Sequence, residues 1–92
     1  MKEDETRVLM DKLLSSDVKL DILALFHRNP GLLEGAEGVA LRIGRSASEI
    51  EKDVQDLLDI GILQRNSELI CLNVKRDGEI QELISNRLKR GD

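Results

Sequence analysis

The apolar positions of the chain follow two different rhythms. From Glu5 to Leu14, the residues Val8, Leu9 and Leu13, with Met10 and Leu14 beside them, recur near every 3.6 positions and predict a first helix. In "SSDVKLDILALFHRNPG", Val18, Ile22, Leu25 and Phe26 together with Leu20, Leu23 and Ala24 predict a second helix, apolar around most of its girth and therefore central. Ser16 or Asp17 can cap it, and Asn29-Pro30-Gly31 ends it because proline restricts the residue before it. Leu33, Ala36, Val39, Ala40 and Ile43 share one face of a third helix, weakened by Gly35 and Gly38 and stopped by Gly44. Ser46 opens a fourth helix, with Glu49 at capping-box spacing and Ser48 and Glu51 repeating that spacing two residues on. Ala47, Ile50, Val54, Leu57 and Leu58 form its core stripe, and Gly61 terminates it.

After Gly61 the rhythm changes. "ILQR" and "LICLNV" are short runs rich in Ile, Leu and Val, joined by Asn66-Ser67-Glu68, which predicts a hairpin. Asp77 and Gly78 then introduce a last helix with Ile80, Leu83, Ile84, Arg87 and Leu88 in phase, and Lys89 and Arg90 at its C-terminal end. The expected fold class is mainly α with a small β-hairpin.

A chain of 92 residues suits one domain, 1–92, with a core over 16–76 and terminal helices at 5–14 and 77–90. Hydrophobic residues make up 40 % of the chain, enough to take it out of the disordered class. Phe26 is the only aromatic residue, so stacking of bases on aromatic platforms is excluded. Cys71 is the only cysteine, which rules out an internal disulfide and any paired-cysteine metal motif. We therefore expect no metal, no cofactor and no enzyme chemistry. A cytoplasmic setting is expected too, without membrane association, since no apolar run approaches the roughly 18 residues of a bilayer span. The net charge of −4 is unevenly distributed, and residues 45–59, with two bases and five acids, are the most acidic segment.

The order of "SDVKLDILALF", the turn "ALRIGRS", the stripe Ile50, Val54, Leu57 and Leu58, and the closing "LLDIGIL" resembles the winged helix-turn-helix superfamily. The likeness covers roughly residues 16–74 and points to small arsenical-repressor-like and MarR-like transcription regulators of bacteria and archaea. It implies duplex DNA as the partner, the Ser46 helix in the major groove, the hairpin as a wing, and terminal helices that form a homodimer. The family's metal-sensing cysteine pairs have no counterpart in this sequence.

A helical wheel with Ile50 at zero places Lys52 at about 200°, Ser48 at about 160°, Gln55 at about 140° and Asp56 at about 240°, facing away from the core. Glu51 and Asp53 flank that face near 100° and 300°. Ser48, Lys52 and Gln55 have the donors and acceptors that base edges require. Arg42, Arg45, Arg65, Lys75 and Arg76 would anchor phosphates, with Ser46 at the positive end of the helix and Asn66 at the wing tip. The acids leave a second reading open, a winged-helix module that docks a partner protein.

For a homodimer the candidate residues are Val8, Leu9, Leu13, Ile80, Leu83, Ile84 and Leu88, whose two stripes exceed what a small core must cover. His27 is expected to complement the C-terminal dipole of the second helix, and Cys71 to act as a small buried hydrophobe.

Overall fold

The structure, a computed structural model, describes the backbone of residues 2–90 and the side chains of residues 7–13 and 15–86. Five helices and one hairpin follow in the order α1 (Lys2–Leu14), α2 (Asp17–Arg28), α3 (Ala36–Arg42), α4 (Ala47–Ile60), β1 (Leu63–Asn66), β2 (Leu69–Leu72) and α5 (Val74–Arg90). The fold is mainly helical with a small antiparallel hairpin after the fourth helix, a winged helix-like layout.

The core forms where α2, α3 and α4 meet the hairpin. Ile22, Leu25 and Phe26 of α2, Val39 and Ala40 of α3, and Ile50, Val54 and Leu57 of α4 are all buried there, with Ile62, Leu63, Ile70 and Leu72 closing the base. Burying one side chain of this size contributes about 1.5–3 kcal/mol, so this cluster is the main source of stability. α2 is less uniformly apolar outside than expected. Leu20 is 40 % exposed, and the charged Lys19 beside it is buried.

Four local features set the boundaries. Ser46 and Glu49 form the expected capping box, which fixes the start of α4 at the earlier of the two registers. Gly61 ends α4 in the left-handed region at φ 94°, its N–H donating to the carbonyls of Leu57 and Leu58. α3 begins at Ala36, later than the apolar pattern beginning at Leu33 suggested, because Glu34 is extended. The Glu34 N–H donates to the Ile70 carbonyl at 3.1 Å and the Ile70 N–H to the Glu34 carbonyl at 2.7 Å. β1 and β2 are joined by a two-residue turn with Ser67 at φ 63°, tighter than the three-residue tip expected.

α5 starts at Val74, three residues before the expected Asp77. Asn73 is the reason: its Oδ1 accepts from the Arg76 N–H at 3.1 Å, while its own N–H donates to the Ile62 carbonyl at 2.8 Å. Val74 therefore leaves the strand that its β-branched side chain suggested.

The terminal helices pack on their own chain. α1 lies against α2 and α5, and Leu13 and Ile80 are 5 % and 1 % exposed within the core. Those two belong to the domain interior and correct the expectation that they face a second copy. Val8 remains 63 % exposed, and Leu9, Leu83 and Ile84 are half-buried. The side chain of Leu88 lies outside the described residues. Among the described residues no helix is long and apolar enough to cross a membrane.

Candidate functional site

The outer side of α4 is built from its cap downward. Ser46 Oγ accepts from the Glu49 N–H at 3.4 Å and donates to Glu49 Oε1 at 2.9 Å, and that same carboxylate oxygen accepts from the Ser46 N–H at 3.0 Å. The bond from the Ser46 backbone, then the one from its hydroxyl, hold the Glu49 carboxyl below its ordinary range. The first turn thus carries its own anion, so part of the positive helix end expected for phosphate is already used.

Two more acids turn inward. Lys19 on α2 is 4 % exposed, and its Nζ sits 2.8 Å from Asp56 Oδ2 and 3.6 Å from Asp53 Oδ1. The hydrogen bond to Asp56 raises the Lys19 pKa against the opposing effect of burial, and the same bond lowers that of Asp56. The wheel had put Asp56 on the outward face. In the fold α4 is rolled so that Asp53 and Asp56 border α2, and the outward positions are Ser48, Glu51, Lys52, Gln55 and Asp59. Gln55 Nε2 donates to Asp59 Oδ1 at 2.9 Å, which leaves Glu51 as the acid of this helix without a partner among the described residues.

The bases divide in the same way. Arg45, in the turn before α4, reaches Asp21 Oδ2 with Nη2 at 3.0 Å, and its buried Nε has no partner among the described residues. Arg42 binds Glu34 through Nε and Nη2, each at 3.2 Å from Oε2. These pairs are partly or largely solvent-exposed, the class that contributes about 0–1 kcal/mol and can exchange partners.

Arg76 differs. Its Nε donates to the Ile60 carbonyl at 3.1 Å and its Nη1 lies 3.7 Å from Glu79, so it closes the C-terminal end of α4, which corrects its expected place among the phosphate anchors. Lys52, Arg65, Asn66 and Lys75 are exposed and make no side-chain hydrogen bond or ion pair among the described residues. Ser46, Ser48, Lys52 and Gln55 are exposed along α4 and its cap, with Arg45 in the leading turn directed at Asp21 on α2. Arg65 and Asn66 stand apart on the hairpin, and Lys75 at the start of α5.

Reading the sequence alone missed Lys19. A signal existed, because Lys19, Ile22 and Phe26 share one helical face, so a lysine was in phase with the buried stripe. His27 also has a partner that no local pattern announced: its Nε2 lies 2.9 Å from Oδ1 of Asp77, a carboxylate that is 7 % exposed. Cys71 is half-buried and accepts from Gln64 Nε2 at 3.7 Å. Among the described residues no three His, Cys, Asp or Glu side chains cluster as metal ligands. Set against known proteins, the chain matches no family model, no curated protein and no solved structure.

Proposed function

We propose that the protein binds duplex DNA as a winged helix-turn-helix regulator, laying the Arg45–Gln55 side of α4 along the major groove. One observation carries this reading. Of the five acids in residues 45–59, Glu49 is held in the cap, Asp53 and Asp56 by Lys19, and Asp59 by Gln55. Lys19 thus draws Asp53 and Asp56 toward α2 and offsets one of their two charges, and the exposed acids of the N-terminal half, Glu49 and Glu51, stand beside Arg45 and Lys52. Ser48, Lys52 and Gln55 supply base-edge contacts there, and Arg45 and Arg42 exchange Asp21 and Glu34 for phosphates. Arg65 and Lys75 add positive charge from the wing and α5.

With three to five phosphates neutralised per domain, the logarithm of affinity falls against the logarithm of salt with a slope of about −3 to −4.5. The double variant Arg45→Ala, Lys52→Ala should reduce duplex affinity at least tenfold with the melting temperature little changed. Unchanged duplex retention at moderate salt would discard the proposal. A dimer would double the slope and would join through Val8, Leu9, Leu83 and Ile84, which solution mass measurement tests.

A second reading rests on a different observation. Leu41 on α3 is 81 % exposed and Val74 61 % exposed, the kind of apolar surface that seeks a protein partner. That reading gains if the protein shows no duplex affinity at low salt and Leu41→Lys abolishes capture of a co-purifying polypeptide.

A further inference from the structure

Between α1, α2 and α5, with Ile62 as its floor, lies a partly open cavity of about 160 Å³. Aliphatic side chains make up most of its wall: Met10 and Leu13 from α1, Leu20 and Leu23 from α2, and Ile80 and Ile84 from α5. Three polar residues also border it, and Asp77 is bound to the other two. His27 Nε2 and Asp77 Oδ1 are 2.9 Å apart, and Gln81 Nε2 donates to Asp77 Oδ2 at 2.6 Å. The surface that faces the cavity is consequently apolar throughout.

The composition of the chain explains the gap. Phe26, the single aromatic residue, is buried elsewhere in the core, so the junction of three helices is filled by linear and branched aliphatic chains alone. These leave a space the size of a ring. Water in this partly open space gains no hydrogen bond from the wall, because the surface that faces it carries no polar atom. An apolar void of about 150 Å³ accommodates a benzene molecule.

We infer that this cavity is a binding site for a small uncharged hydrocarbon, a single aromatic or alicyclic ring of about six to eight carbon atoms. A ligand with a polar head loses its hydration without gaining a hydrogen bond, and an anion also meets the Asp77 carboxylate. The site is independent of whether α4 meets DNA.

The test is a titration of the full chain with toluene, phenol and benzoate, followed by the methyl resonances of Leu13, Leu23, Ile62 and Ile80. Toluene should shift these methyls saturably with a dissociation constant on the order of 0.1–1 mM. Phenol should bind at least fivefold more weakly and benzoate should leave the methyls unmoved. At toluene concentrations ten times its dissociation constant, the folding equilibrium shifts about elevenfold toward the native state. Ile84→Phe, which places a ring from the chain itself into the space, should remove the toluene response while the protein stays folded. Absence of saturation up to the solubility limit of toluene, shifts confined to other parts of the molecule, or phenol binding as tightly as toluene overturns the inference. So does a folded Ile84→Phe protein that binds toluene undiminished, and if that variant fails to fold, the comparison of the three ligands on the unaltered protein decides.

Discussion

Replacing Lys19 by methionine keeps the length of the side chain but removes the charge that α2 lends to α4. Lys19 Nζ is 2.8 Å from Asp56 and 3.6 Å from Asp53, inside a region where Lys19 itself is 4 % exposed. Loss of a charge-assisted hydrogen bond costs about 1.5–3 kcal/mol, and the two acids border water, so the full penalty of a sealed orphan charge does not apply. For a domain of this length such a loss lowers the melting temperature by roughly 10 °C. The assay is thermal unfolding by circular dichroism at pH 7 of four proteins: the unaltered chain, Lys19→Met, Asp56→Asn and the double variant. The coupling between the two sites should be at least twice that from the same cycle on the exposed pair Arg42 and Glu34. Equal coupling in the two cycles would refute the claim that Lys19 holds Asp56 as a buried tie. The same variant also tests the electrostatic argument, because freeing Asp53 and Asp56 should weaken duplex affinity although no residue on the proposed groove face has changed.

Three further outcomes follow from the geometry. Gly61→Ala places a methyl 3.2 Å from Arg76 Cγ at φ 94°, so it should cost more than Gly44→Ala, where φ is 72° and the space is open; the latter should cost about 1–2 kcal/mol, both read by urea unfolding. Ser46→Ala removes the cap oxygen and should cost about 1 kcal/mol, whereas Ser48→Ala should change stability by less than half as much. The Asp56 and Glu49 carboxyls are depressed in the fold, so their stabilisation is complete above their ordinary values of 3.8 and 4.5 and is lost as pH falls through the lower folded values. An acid titration of stability should therefore be flatter in Asp56→Asn than in the unaltered chain, while the raised pKa of Lys19 places its own loss above pH 10.5, at the alkaline end.

Features set by neighbours along the chain were the ones visible in the sequence. The capping box at Ser46 and Glu49, the glycine stops at Gly44 and Gly61, and the stripe Ile50, Val54 and Leu57 each depend on residues a turn or two apart, and each stands in the structure. Features that depend on distant segments were not visible. Lys19 and Asp56 are separated by 37 positions, and His27 and Asp77 by 50, so no periodicity links them. The start of α5 was mistaken for a different reason. Val74 has strand propensity, but the cap at Asn73 outweighs it, and an asparagine ahead of "VKRD" was a legible signal that the apolar run before it obscured. On the candidate site, exposure of Ser48, Lys52 and Gln55 followed from the wheel. The engagement of Arg76 with the end of α4 did not, because it depends on where the hairpin returns the chain.

Glu34 joins three parts of the molecule with one residue. Its main chain exchanges hydrogen bonds with Ile70 on β2, and its carboxylate accepts from Arg42 in the last turn of α3. The hairpin is thus fastened at a second point besides its own stem, and it cannot tilt without dragging the loop before α3. The amide hydrogens of Glu34 and Ile70 should be released to solvent together, in one opening event.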